Sequence, residues 1–344
     1  MTRNILFTAL AAGLLATSVH AAPLHLKVLG QPAGSGLIAQ KKEKPFFEKL
    51  GANAGLNVTT QYLPVDVAGI PDSDELRVLK SGLFDIVSIR GPQVSRDAPS
   101  VLGLDLVGLN TSFAAGKQHT KAFFDYVDHR LQKQFNAKLL GVWPAGPQVI
   151  FCKPAITKLA DLKGLKVRVG DQSTAHFMAG LGATGVPMPF GEVQQALSRG
   201  VVACAVTGPA SANSAGWPEA TTTVLPLALQ LAMNGYAINL NTWKKLSAKD
   251  QGKLQAAIDK LDADIWSYSE ELYKDAMNCN TGKQPCKLGK LYHLKSVPVA
   301  KADIATVAAA VSKVSFPVWA KQCDAVAPDC SKTWQSTVGA ELGK

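Results

Sequence analysis

Apolar positions along this chain switch repeatedly between a period of two and a period near 3.6. Residues 24–29 (LHLKVL) alternate and predict a first strand. Residues 39–51 set Phe46, Phe47 and Leu50 on one side of a helix. Residues 56–63 are rich in β-branched side chains and predict a strand, and residues 74–81 a short helix closed by Gly82 as its C′ glycine. Residues 84–89 (FDIVSI) predict a further strand. The alternation restarts after a helix over residues 117–135, where Phe123, Tyr126, Val127, Leu131 and Phe135 keep helical spacing. Strands are predicted at 138–143 and 148–153, divided by Pro144-Ala145-Gly146-Pro147, a turn or crossover. A strand at 166–169, helices at 174–181 and 191–199 and a strand at 201–206 follow.

The longest periodic stripe starts at Ser247 and runs through Leu254, Ile258, Leu261, Ile265 and Leu272. Ser247 and Asp250 have capping-box spacing. Unbroken to Met277, this helix would span about 45 Å, enough to bridge two lobes. A last apolar helix is predicted over 307–321. Alternating β and α units imply parallel sheets with helices on their faces, and ligands bind beyond the carboxyl ends of such strands. With no low-complexity linker and no repeat, the expected fold is an α/β clamshell of two lobes, joined by chain crossovers and a long lobe-bridging helix. The expected division is residues 22–145 with 232–272 in lobe 1, and 146–231 with 273–344 in lobe 2.

Composition sharpens this picture. Of 344 residues, 47% are hydrophobic and 18% charged, which supports a sizeable core and excludes disorder. The net charge of +10 is spread along the chain, and its densest cluster, Lys41-Lys42-Glu43-Lys44, reads as a solvated helix end. No nucleic-acid partner is expected. Residues 1–21 have Arg3 before an apolar stretch and end in Val19-His20-Ala21, the pattern of a cleaved signal peptide. No later segment offers 18 uninterrupted apolar residues.

An even set of six cysteines, Cys152, Cys204, Cys279, Cys286, Cys323 and Cys330, suits disulfides in an exported chain. Six cysteines allow 15 connectivities. The repeated C-x6-C spacing favours two local clamps, Cys279/Cys286 and Cys323/Cys330, with Cys152 pairing Cys204 between neighbouring strands. No C-x2-C or H-x3-H spacing supports the competing zinc reading. His25, His119, His129, His176 and His293 are scattered, and His119 and His129 are expected on the solvated faces of their helix. No G-x-S-x-G, P-loop or H-E-x-x-H occurs. In Gly30-Gln31-Pro32-Ala33-Gly34-Ser35-Gly36, Pro32 occupies the second glycine position of a dinucleotide fingerprint, so the segment reads as a flexible first βα loop. No enzyme activity, cofactor or metal is implied.

Residues 159–207 carry the functional signal. Asp161-Leu162-x-Gly164-x-Lys166-Val167-Arg168-Val169 is followed by Leu181-Gly182-Ala183, Val186-x-Met188 and Phe190-x-Glu192-Val193. Ala196-Leu197-x-x-Gly200-Val201-Val202 closes the series. In this order the segment resembles the DctP-type solute-binding proteins of tripartite ATP-independent periplasmic (TRAP) transporters. Weaker similarity extends to residues 75–85 and 236–251. The resemblance implies a periplasmic, monomeric protein that captures a small organic acid between its lobes and delivers it to membrane subunits of a transporter.

In that family the arginine matching Arg168 forms a bidentate salt bridge to the ligand carboxylate, as its planar fork suits. Phe190 matches an aromatic that packs on the ligand. Gln148 falls where several members place a second ligand-facing arginine. Thr207 falls where the sialic-acid-binding branch has a ligand-contacting asparagine, and Arg90 where that branch has an acidic contact. Trp217 and Asn234 are further cleft candidates, and Glu192 is expected to cap its helix. These departures argue against sialic acid as ligand. Two readings compete with transport: a hydrolase-like periplasmic enzyme on a similar clamshell, and the ligand-binding subunit of a sensor.

Overall fold

The computed structural model describes residues 22–342; the expected signal peptide, residues 1–21, lies outside them. Its strands are β1 (Leu24–Gly30), β2 (Val58–Pro64), β3 (Ile86–Arg90), β4 (Ala137–Pro144), β5 (Val149–Cys152) and β6 (Lys166–Val169). They continue as β7 (Thr184–Pro187), β8 (Cys204–Thr207), β9 (Thr223–Leu225), β10 (Met233–Asn239) and β11 (Lys295–Ser296). Two sheets result, one ordered β2-β1-β3-β10-β4 and the other β11-β9-β5-β8-β6-β7. The fold is a mixed α/β clamshell with one sheet in each lobe.

Parallel sheets are expected from the alternation, and both sheets are instead mixed. β10 runs antiparallel to β3 and β4, and β5 antiparallel to β8 and β9. The cause lies in the connections. β5 is entered directly from β4 of the other sheet, and β10 directly from the segment after β9, so neither arrives by the helical crossover that a parallel neighbour needs. The two crossing segments also pair with each other. Ala145 N donates to Ala232 O at 3.0 Å, Gly146 N to Leu231 O at 3.0 Å and Gln148 N to Gln230 O at 2.8 Å. Beneath them the buried Asp105 carboxylate accepts the N–H groups of Leu231 and Met233.

Side-chain alternation along β5 builds the second lobe. Ile150 and Cys152 enter one core with Val167, Val169, Val206 and Phe177, while Val149 and Phe151 enter another with Ala205, Leu197 and Trp217. The register pairs Cys152 with Cys204 across β5 and β8, and these form a disulfide. Cys279–Cys286 and Cys323–Cys330 are the two local clamps.

The long helix is Ala248–Thr281, 34 residues. Ser247 Oγ accepts Asp250 N at 3.1 Å to cap it. Its residues from Leu254 to Leu272 enter the first lobe's core, and Tyr273 and Met277 pack against the second lobe. The C-terminal region corrects the expected division, which gave all of 273–344 to lobe 2. Val307 and Ala310 do pack there, but Trp319, Cys323, Cys330, Trp334 and Val338 belong to the first core. Trp319 Nε1 donates to Pro99 O at 2.7 Å and Trp334 Nε1 to Gly103 O at 2.8 Å. The chain recrosses where the helix widens into a π turn, Val311–Ser315. Pro317, in the first turn of the next helix, offers no N–H to an upstream carbonyl.

Candidate ligand-binding site

The carboxyl ends of β3, β6 and β8 face one another across a cleft between the lobes. Its volume is about 630 Å³ with the open mouth included. The crossing segments form its floor through Ala145, Gln148, Gln230 and Ala232. The folding pattern explains why these residues meet. Arg90 ends β3 and pairs in register with Asn234 of β10, and both line the cleft. Thr207 ends β8 opposite Val149, so it lies beside Gln148.

Arg168 stands on β6 between Val167 and Val169, whose side chains enter the core on the opposite face of the sheet. It is 4% exposed. Backbone carbonyls hold its guanidinium: Nε and Nη2 donate to Met188 O at 3.0 and 2.8 Å, and Nη1 to Val206 O at 3.1 Å. Three of its five N–H groups are thereby used, leaving one on each terminal nitrogen. No carboxylate lies in ion-pair contact with it among the described residues. Burial is the main force lowering its pKa, to about 10; Arg90 lowers it further and Asp171 opposes the shift. The Arg168 Cζ lies 6.0 Å from the Phe190 ring centre and 5.8 Å from that of Trp217.

Arg90 faces this group from the other lobe. Its guanidinium forms an ion pair with Asp72, and its backbone N–H donates to Glu75 Oε2 at 2.7 Å. Glu75 is fully buried, and burial raises its pKa well above the ordinary carboxyl range. Gln148 donates to Gly146 O at 2.8 Å, and the side chains of Thr207 and Asn234 make no hydrogen bond among the described residues.

The structure brings Arg90, Gln148, Arg168, Phe190, Thr207 and Asn234 to one cleft. Trp217, expected there, does not line it. It is fully buried and packs under Phe190, the rings tilted by 31° with centres 5.4 Å apart, and the turn containing Pro218 tucks it into the lobe's core. Glu192 takes the N-cap position of helix Val193–Ser198 without a side-chain cap bond. His119, expected in solvent, is buried against the 104–110 segment and bonds Asn110 Oδ1 at 2.8 Å.

Sequence reasoning missed Asp171 and Gln230. Asp171 caps helix Gln172–Gly180 by accepting Thr174 N at 2.8 Å, and its Oδ2 accepts Thr174 Oγ1 and Gln230 Nε2 at 2.9 and 3.1 Å. An aspartate one residue beyond a strand and directly before a helix is a readable cap. Gln230 was legible as the one polar residue in the run Leu227-Ala228-Leu229-Gln230-Leu231-Ala232-Met233. Among the described residues no cluster of His, Cys, Asp and Glu could hold a metal, and no helix is long and apolar enough to cross a membrane.

Residues 68–293 match the family described as bacterial extracellular solute-binding protein, family 7, DctP. The chain belongs to the DctP family. Its members are solute-binding receptors, not enzymes. Solved structures share the fold at low identity. DctP7 of Bordetella pertussis, an extracytoplasmic solute receptor binding pyroglutamic acid, has a TM-score of 0.77 at 18% identity, over 90% of this chain and 99% of that one. A TRAP periplasmic solute-binding protein from Desulfovibrio salexigens with bound orotic acid has 0.78 at 15%, over 92% and 99%. One from Rhodoferax ferrireducens with bound malonate has 0.77 at 14%, over 92% and 99%. Like these, this DctP-family chain places two sheets about one cleft.

Proposed function

We propose that this chain is the periplasmic receptor of a TRAP transporter. After removal of residues 1–21 it captures a small organic acid in the cleft as a monomer and delivers it to the membrane subunits. The observation that carries this reading is Arg168, a buried guanidinium with two uncommitted N–H groups and no carboxylate partner among the described residues. A buried cation left unpaired is costly, and a ligand carboxylate supplies the missing bidentate partner. The ligands named for the similar structures, pyroglutamic acid, orotic acid and malonate, are all acids.

The remaining residues have roles that follow from position. Phe190, held by Trp217 behind it, offers its ring to the ligand body. Gln148, Thr207 and Asn234 offer neutral hydrogen-bonding groups, and Arg90 closes from the opposite lobe. Contacts from both lobes exist together only when the cleft is shut, so ligand shifts the population toward the closed form. Calorimetry of the wild type and Arg168→Ala against a panel of carboxylates tests the anchor. Removing the arginine weakens the bound acid at least about thirtyfold, because truncating one partner of a buried charge pair costs about 2 kcal/mol or more. Equal affinity in the two proteins would sink the assignment.

A further inference from the structure

Arg90 and Arg168 are the only cations among the described residues lining the cleft. Two arginines on facing walls resemble a clamp for a diacid, but their bonding is unequal. Asp72, which opens the 3-10 turn Asp72–Asp74, is in direct ionic contact with the Arg90 guanidinium. That Arg90 side chain is 14% exposed, so water screens the pair only in part. Among the described residues Arg168 hydrogen-bonds only to the carbonyls of Met188 and Val206 and pairs with no carboxylate. One arginine therefore carries its own counter-charge, and the other waits for one.

The rest of the wall adds no cation. Gln148, Thr207, Gln230 and Asn234 are neutral, and Asp171 brings a further negative charge already bonded to Thr174 and Gln230. A second ligand carboxylate would share Arg90 with Asp72 or approach Asp171, and like charges brought together in a cleft are strongly disfavoured. Gln230 supplies an independent observation. A carboxylate can only accept, so the Gln230 amide nitrogen must face Asp171. Its Oε1 is left buried with no partner among the described residues, in a side chain that lines the cleft. A buried amide oxygen of this kind lacks a donor.

We infer that Asp72 is a specificity-determining residue: by occupying Arg90 it selects monocarboxylates whose uncharged body carries an N–H or O–H donor, and rejects dicarboxylates. The inference rests on the cleft being the acid site, as proposed above.

Isosteric twins test it. Succinamate and succinate, and glutaramate and glutarate, differ only in an amide against a carboxylate; the monomethyl esters keep the single charge and lose the donor. Calorimetry on the full chain should show each amide acid binding at least tenfold tighter than its diacid twin, and tighter than its ester. Asp72→Asn frees Arg90 and should move the amide-to-diacid ratio at least tenfold toward the diacid, while Asp72→Glu restores the wild-type preference. A wild type that prefers the diacids, or a ratio unmoved by Asp72→Asn, overturns the inference. Arg168→Ala should weaken both members of each pair alike; if it weakens neither, the anchor falls while the Asp72 ratio still stands or fails separately. A wild type that binds none of the probes overturns both.

Discussion

A single side chain can be spent on packing or left with donors to spare, and Trp217 and Arg168 divide along that line. Arg168 keeps its charge in a nearly dry site only by borrowing two backbone carbonyls. That arrangement is poor as a structural element and well suited to receiving an anion. Trp217 touches the same guanidinium with its ring face yet shows nothing to solvent. Its work is to fill space behind Phe190 and against Phe151. Trp217→Ala should therefore cost about 3–5 kcal/mol of stability, the range for emptying a buried aromatic site. Urea unfolding reads this directly. A variant with wild-type stability and altered acid affinity would instead return Trp217 to the cleft.

At the scale of elements, the long helix meets β4 through an unusual pair. Gly141 leaves room for Asp262: a Cβ there would lie 2.0 Å from Asp262 Oδ2. The Asp262 carboxyl is buried, its Oδ1 has no partner among the described residues, and burial raises its pKa to about 8 against a backbone bond from Val142 that lowers it. The folded protein thus holds a proton there that the unfolded chain releases near its ordinary carboxyl value. Stability from this group is greatest below about pH 4 and is lost as pH rises toward 8. Asp105, raised to about 7 by burial, acts in the same direction. Asp262→Asn should flatten part of that decline and raise stability at pH 8 by about 1–3 kcal/mol, since each pKa unit is worth about 1.4 kcal/mol. Thermal melts from pH 4 to 8 check it, and a variant less stable than wild type at pH 8 would refute the reading.

The sequence showed these elements unevenly, for physical reasons. The long helix was legible because its stripe repeats over many turns and Ser247 caps it. β6 was legible because two valines bracket Arg168. β10 was not: Asn234-Gly235 carries turn chemistry, and its strand character comes from pairing on both sides with β3 and β4, partners far away in the chain. Of the cleft, the sequence pattern disclosed the residues at strand ends. It hid the Arg90–Asp72 pair, since nothing in local spacing shows that a 3-10 turn will fold its carboxylate over the end of β3.

The whole molecule is held by crossings more than by a hinge of loose chain. The ribbon of residues 144–148 and 229–232, the long helix and the C-terminal return all join the lobes. Removing the Cys323–Cys330 clamp with a Cys323→Ser/Cys330→Ser pair should cost about 2–3 kcal/mol by loop entropy and leave acid affinity unchanged. Melts and calorimetry on the same protein separate the two effects. Affinity that falls with stability would mean the C-terminal segment reaches the cleft.

That return has a consequence in time. β1 is synthesised long before Trp319, Trp334 and Val338, which complete its lobe's core. The core of the first lobe therefore lacks part of its packing until residues 319–338 have been made and have returned to it.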